Sequence, residues 1–459
     1  MHIIAAFPGL IALIVVLQRG SAFAFLNVYF PVVILLPSHY RWYAPGLPDL
    51  SFQHAAIMPI ALIWLLRDSR TYQFSLMDIV VVMFASLIGL SEFTASGYKD
   101  AQNLIIDVIA SMVLPYFLAK TLIVPNGLSI EAGKRMVILL FAVAVISLWE
   151  FKMAYTPWDR ILNPFFPGQD VWITTFRWGF TRVAGPYGHA ILAGIIMVVG
   201  FRLQRWLHWR GHWDDLRIFG KNQFMGFSFA FIITWGMVAG VIMTMCKGPW
   251  IGAIGGAAVM AVGRSRRPGP TLLVIAVLAI TISIPGFLWL KSWAGVGREN
   301  AKSVTQETAA YRWELIETYW DVALEHAWLG WGRHHWPKDP RQPSIDNYYL
   351  LLALMHGILA LYLLWFTFVW MSVRLMIRGV RAPPNSEIRI LTFTLASVYA
   401  VYFISLATVY LGSQTVHLLF ILTGWAEGVL VYNMREPTTE DAPLVVEDQR
   451  PFKFKRTLT

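Results

Sequence analysis

Charges and turn residues cut the chain into apolar stretches of nearly uniform length, and that rhythm constrains the fold more than any motif. A helix needs about 20 residues to cross a hydrocarbon core. Such stretches fall near 3–17, 21–37, 52–66, 76–93, 102–123, 135–151, 186–201, 223–245, 249–263, 270–290, 347–373, 390–411 and 415–432. The first two are short and contain proline, so roughly 12 or 13 crossings are predicted. Only 14% of the residues are charged, against about 25% in a soluble domain. The expected fold is all-α, a polytopic membrane protein whose helical domain covers 1–433. The segment 434–459 mixes proline with acidic and basic residues and reads as a disordered cytoplasmic tail.

The opening "MHIIAAFPGLIALIVVLQRG" lacks a basic n-region and a small-residue cleavage site, so it reads as a retained first helix rather than a signal peptide. With Cys246 as the one cysteine, no intramolecular disulfide can form and no cysteine cluster suggests a metal centre.

Lys and Arg in short loops set orientation. They collect at 202–221 (Arg202, Arg205, Arg210, Arg217, Lys221), at 264–267 (Arg264, Arg266, Arg267) and at 374–389 (Arg374, Arg378, Arg381, Arg389). These loops are assigned to the cytoplasm. Counting spans from them places 152–185, the turn at 246–250 and the long segment 291–346 on the periplasmic side of a bacterial inner membrane. The formal net charge of +10 then follows from topology, and nucleic-acid binding is not expected. The adjacent Asp214 and Asp215 fall in a cytoplasmic loop and read as a solvated pair.

Within 291–346, Trp313, Ile316, Trp320, Ala323 and Ala327 recur at helical spacing while Glu314, Glu317, Asp321 and Glu325 occupy another face. This predicts an amphipathic helix on the outer interface or over the mouth of the bundle. Gly330, Gly332, Pro337, Pro340 and Pro343 then break any helix, in a stretch that carries Arg333, His334, His335, Lys338 and Arg341. Asp346 and Asn347 open the next span. An Asp there is often only a helix cap.

The outer boundary thus gathers Arg182 and His189 around "AGPYG", Lys247 in "CKGPW", Arg312 at the start of the amphipathic segment, and His334, His335 and Asp346 before the span at 347. Charges at membrane depth usually mark a substrate site. Cations without a cluster of metal ligands suit a diphosphate, which Arg binds through forked donors and Lys as a point charge. Nearby glycines would let backbone amides approach the oxyanions. Taken singly, Arg182 and Lys247 could equally be snorkelling interface residues.

The order "RVAGPYGH", "CKGPWIGAIGG", "YRWELIETYWDVALEHAWLGWG" and "DNYYLLLALMHGILALYLL" resembles the superfamily of O-antigen ligases and Wzy polymerases. In motif detail the resemblance covers residues 180–365. It implies a metal-independent, inverting membrane glycosyltransferase without a cofactor. Its donor would be a glycan on undecaprenyl diphosphate, and its acceptor a sugar hydroxyl on a second lipid-linked glycan, on lipid A core or on a protein. Membrane lipids and a chain-length regulator would be its partners.

Carried over by position, Arg182 resembles the arginine before the family's GxFGH-type turn, Lys247 takes the place of the arginine in an SRG-type turn, and Arg312 matches the arginine that opens the loop helix. Asp346 stands where ligases usually have a histidine before Asn, which favours a polymerase. Ala190 and Ile191 replace the Pro-Asn that often follows the family histidine, so His189 is either structural or a substrate contact. The resemblance makes Asp346 the expected general base, with His334 or His335 as the second choice. Arg182, Lys247 and Arg312 would hold the diphosphate, with His189 and Asn347 as further substrate contacts.

The competing class is a carrier of the same lipid-linked glycan, which should line a path with ionisable residues deep in its spans. Asp78, Glu92, Asp107, Lys120, Glu150 and Glu427 lie near span ends or isolated in sequence, and catalysis is preferred.

Overall fold

The computed structural model describes residues 2–43, 48–169, 173–217, 223–412 and 414–432. The tail at 434–459 and Lys221 lie outside them. Nine helices are long and apolar enough to cross a membrane among the described residues. They are α1 (His2–Arg19), α4 (Leu76–Ser96), α5 (Tyr98–Leu122), α6 (Ser129–Met153), α7 (Ala190–Trp209), α10 (Pro268–Ala294), α12 (Tyr348–Arg381), α13 (Glu387–Leu406) and α14 (Gln414–Val431). The other predicted stretches are helical but shorter or less apolar: α2 (Ser21–Leu35), α3 (Phe52–Ile63), α8 (Phe229–Met243) and α9 (Lys247–Arg264). A further helix, α11 (Val304–Glu325), carries the long loop.

Alpha-9 owes its lower hydropathy to glycine, and glycine is what seats it. A Cβ on Gly252 would meet the Val401 carbonyl oxygen at 3.0 Å, and one on Gly256 the Ser397 carbonyl oxygen at 3.1 Å. The two backbones approach through this small-residue face, the usual device for packing helices in lipid, where hydrophobicity does not drive association. The same contact fixes the start of α9, and with it Cys246 and Lys247. By contrast, α10 stands apart: none of its most apolar window is buried.

Three features depart from the sequence reading. The buried face of α11 is Ala310, Leu315, Tyr319 and Ala323, while Ile316 and Trp320 are exposed and Trp313 is half-buried. The predicted stripe is rotated by about one residue because the helix buries Leu315 and Tyr319 and leaves Trp320 and Ile316 outward, where an interface favours Trp.

Alpha-12 is not continuous. Gly357 has φ 84 and ψ 167, which breaks the helix within the predicted span 347–373. The long loop satisfies the freed backbone groups: Trp331 and Gly332 N–H donate to the Leu354 and Met355 carbonyls at 2.8 and 2.9 Å, and Ile358 N–H donates to the Ala327 carbonyl at 2.7 Å. Irregular backbone at this depth is tolerated only when protein covers it in this way. A Cβ on Gly330 would meet the Met355 and His356 backbone at 2.5 Å.

The ionisable residues that look isolated in sequence are paired in space. Lys120 Nζ lies 2.7 Å from the Asp78 carboxylate, which also accepts from the hydroxyls of Tyr72 and Tyr116. Arg374 bonds Glu427 at 2.7 Å, Arg41 and His54 hold Asp107 at 2.9 and 3.1 Å, and Arg333 faces Glu92 at 3.3 Å. Each carboxylate is closed by its own partner, so these residues form braces between segments rather than a path.

Candidate functional site

The segment 173–189 begins with a tight hairpin. Phe176–Arg177 pairs with Phe180–Thr181, and the turn residues Trp178 and Gly179 both have positive φ, 53 and 79. A two-residue loop of that kind matches the twist of the flanking strands. Period-2 alternation then puts Arg177 and Arg182 on one face. The Arg182 N–H continues the pairing onto the Thr175 carbonyl at 2.9 Å, and the Val183 N–H reaches the Met243 carbonyl at 3.1 Å.

The "AGPYG" turn that follows is clamped from within. Gly185 and Gly188 have φ of 57 and 66, the left-handed region open to glycine. The Glu150 carboxylate accepts from the N–H groups of Ala184 and Gly185 at 2.8 and 2.9 Å. The expectation that these amides approach an oxyanion is therefore not met, since a buried carboxylate already occupies both. The glycines serve the fold, which leaves side chains as the candidate anion-binding donors at this end.

Those donors converge. The Arg177 guanidinium donates to the Met245 carbonyl at 2.6 Å, and one Arg182 nitrogen donates to Cys246 Sγ at 3.1 Å. Burial lowers the Arg177 pKa, and the charges of Arg182 and Arg312 lower it further, so all three arginines lie within electrostatic reach. They remain cations, because guanidinium does not deprotonate in proteins. Asp346 provides the local carboxylate. Its charge opposes the burial that lowers Arg312, and it acts on His189 as well. The Nε atoms of Arg182 and Arg312 are buried and have no hydrogen-bond partner. Donors left unmet in this way are costly to the fold; the Nε atoms of Arg135, Arg202 and Arg333 are in the same condition elsewhere in the molecule.

Sequence reasoning missed Arg177. Its signal is the spacing "RWGFTR", a Gly turn flanked by aromatic residues, which places both arginines on one side of a hairpin.

The other candidates fall in different places. Asp346 is half-buried and accepts from the Ser344 hydroxyl at 3.0 Å. Asn347 caps α12, its side-chain oxygen accepting from Tyr349 and Leu350 N–H at 3.0 and 3.4 Å. His189 caps α7, with Nδ1 accepting from Ile191 N–H at 3.2 Å, which puts its ring proton on Nε2. Burial, reinforced by Arg182, pushes the His189 pKa down to about 4, so near neutral pH it is not a cation. Lys247 is exposed at the first residue of α9. His334 and His335 are exposed, and His335 Nδ1 lies 3.5 Å from Ser96 Oγ beside the Glu92–Arg333 pair.

A cavity of about 460 Å³ opens at the same end of the bundle. Arg41, Asp107, Arg333, His356, Tyr348 and Tyr410 are among its walls. Its cations are already matched by Asp107 and Glu92, which leaves a nearly neutral space lined by histidines, tyrosines and serines together with aliphatic side chains such as Leu104, Leu351 and Val416. Tyr410 joins the two regions: it lines the cavity, and the His189 ring lies 6.0 Å from its ring centroid. Tyr348 lines the cavity two residues after Asp346. Among the described residues no group of three His, Cys, Asp or Glu side chains is placed to hold a metal ion.

Residues 229–366 match the family model described as O-antigen ligase. The match runs from α8 into α12 and includes Lys247, Arg312, His334, His335, Asp346 and Asn347; Arg177, Arg182 and His189 precede it. No curated protein matches the chain significantly.

Proposed function

We propose, from the premise that this is a multi-pass membrane protein of the O-antigen ligase and Wzy-like family, with the family's domain at 229–366, that it is a glycosyltransferase acting on glycans carried by undecaprenyl diphosphate. The favoured reaction is polymerisation of an exopolysaccharide or O-antigen, with a second lipid-linked glycan as acceptor. The observation that carries this reading is that Arg177 lies within electrostatic reach of Arg182 and Arg312, and Arg312 within reach of Asp346, beside a near-neutral cavity, with the Nε donors of Arg182 and Arg312 unmet.

In this reading the donor diphosphate sits against Arg177, Arg182 and Arg312, and glycan residues occupy the cavity behind Tyr348 and Tyr410. Asp346 accepts the proton of the acceptor hydroxyl as its oxygen bonds the anomeric carbon. The bond from that carbon to the phosphate oxygen breaks on the opposite face, inverting the centre, and undecaprenyl diphosphate leaves. Positioned proton transfer contributes typically about 10²- to 10⁴-fold. The arginines stabilise the charge that grows on the leaving group, and the reaction is expected to proceed without a divalent ion. The site faces the periplasm, as the loop arginines predict.

The test is glycan analysis by gel ladder and mass spectrometry in a deletion strain complemented with wild type, Asp346→Ala or Arg182→Ala at equal membrane levels. Single lipid-linked repeat units in the deletion and both variants would support a polymerase. Full-length polymer left on undecaprenyl diphosphate would identify a ligase acting on lipid A core or protein. Normal polymer from both variants would reject the site and return a glycan carrier to first place.

A further inference from the structure

At the opposite end of the bundle, expected to face the cytoplasm, lies a second cavity of about 470 Å³, formed where the end of α12, the start of α13 and the end of α14 meet. Arg374, Arg378 and Arg381 line it at spacings of 4 and 3, which puts all three on one face of α12. Ile377, Ile388 and Leu430 supply an apolar wall.

The arginines are not equivalent. Arg374 is anchored, bonding both oxygens of the fully buried Glu427 at 2.9 and 2.7 Å. Among the described residues, Arg378 and Arg381 have no side-chain hydrogen bond and no carboxylate within salt-bridge distance. The nearby Glu387 is taken by Arg210, His212 and Trp206. Among the described residues three guanidinium groups face one carboxylate, a surplus of two positive charges. Orientation signals and the negative end of α12 account for basic residues here. They do not account for a concavity between the arginines with an apolar wall. A free anion would use only the charges, whereas an amphipathic anion at the membrane boundary would use both.

We propose that this cavity binds the headgroup of an anionic phospholipid, with its phosphate on Arg378 and Arg381 and the first carbons of its chains against Ile377, Ile388 and Leu430. Basic pockets between helices at this depth suit such headgroups, cardiolipin among them. The site lies at the other end of the molecule from the proposed transferase centre and does not depend on that assignment.

The experiment is native mass spectrometry of the full chain taken from nanodiscs of phosphatidylcholine with or without cardiolipin, for wild type, R378Q/R381Q and R378K/R381K. Wild type is expected to retain cardiolipin roughly tenfold or more over R378Q/R381Q. The charge-preserving R378K/R381K should retain most of it, which separates loss of charge from loss of packing. Equal retention by wild type and R378Q/R381Q would overturn the proposal. So would displacement of the lipid by millimolar inorganic diphosphate, which would make the pocket a free-anion site.

Discussion

The α4–α5 pair and the region around the hairpin at Phe176–Thr181 treat charge in opposite ways. At one end Asp78 and Lys120 are almost wholly buried, 3% and 0% exposed, and the carboxylate is bonded by Lys120, Tyr72 and Tyr116. The expected outer surface instead presents Arg177, Arg182 and Arg312 within reach of one another, with half-buried Asp346 acting on Arg312 and the Nε donors of Arg182 and Arg312 unmet. A satisfied buried pair can only hold segments together, because any new ligand would have to displace an existing partner. An unsatisfied cluster is a cost to the fold that a ligand can relieve. Whether buried charge is structural or functional is therefore read from what remains unpaired, not from its depth.

Substitutions can break this contrast. The largest effect is expected for Asp346→Asn or Arg312→Gln, which should slow glycan transfer by about 10²-fold or more while the melting temperature stays within a few degrees of wild type. A matched loss of both would refute the division. Lys120→Met should do the reverse, stranding the Asp78 carboxylate and costing about 3–5 kcal/mol. Thermal unfolding and membrane abundance should fall, with transfer per folded molecule retained.

Gly357→Ala sharpens the comparison at smaller scale. An L side chain at φ 84 and ψ 167 enters a region essentially reserved for glycine, at about 1–3 kcal/mol, and its Cβ would also run into the Trp328 and Ala327 carbonyls of the loop that fills the break. Proteolysis of the 326–335 loop should accelerate before the helices unfold.

The smallest effect concerns pH. The His189 pKa lies near 4 in the folded protein, mainly through burial, below its ordinary value of 6.5. Between these values the unfolded chain binds the extra proton, so stability rises with pH across the window, is complete above about 6.5 and is lost as pH falls towards 4. His189→Asn keeps a capping oxygen and should flatten that slope in melts recorded from pH 4 to 7. An unchanged slope would assign the dependence to other groups.

Much of this was legible beforehand because it rests on local physics. Apolar run length set the helices, and every predicted stretch is helical. The resemblance singled out Arg312 and Asp346, which the fold brings within electrostatic reach. The resemblance could not separate His335, which lies beside Ser96, from the cluster at Asp346, because position in a loop does not fix which wall the loop touches. Arg177 was overlooked because its role depends on a hairpin only eight residues long.

By itself the sequence determined the order of the apolar helical stretches and the turns where glycine and proline cluster, at 185–188 and 330–343. These follow from hydration of side chains and from backbone sterics, which act over a few residues. Only the tertiary structure decided that Glu150 takes the turn amides, that the long loop enters the break at Gly357, and that the buried carboxylates find partners while the Nε donors of Arg182 and Arg312 do not. Those outcomes depend on which distant segments meet where water is excluded, and pairing across such distances leaves no periodic trace in the chain.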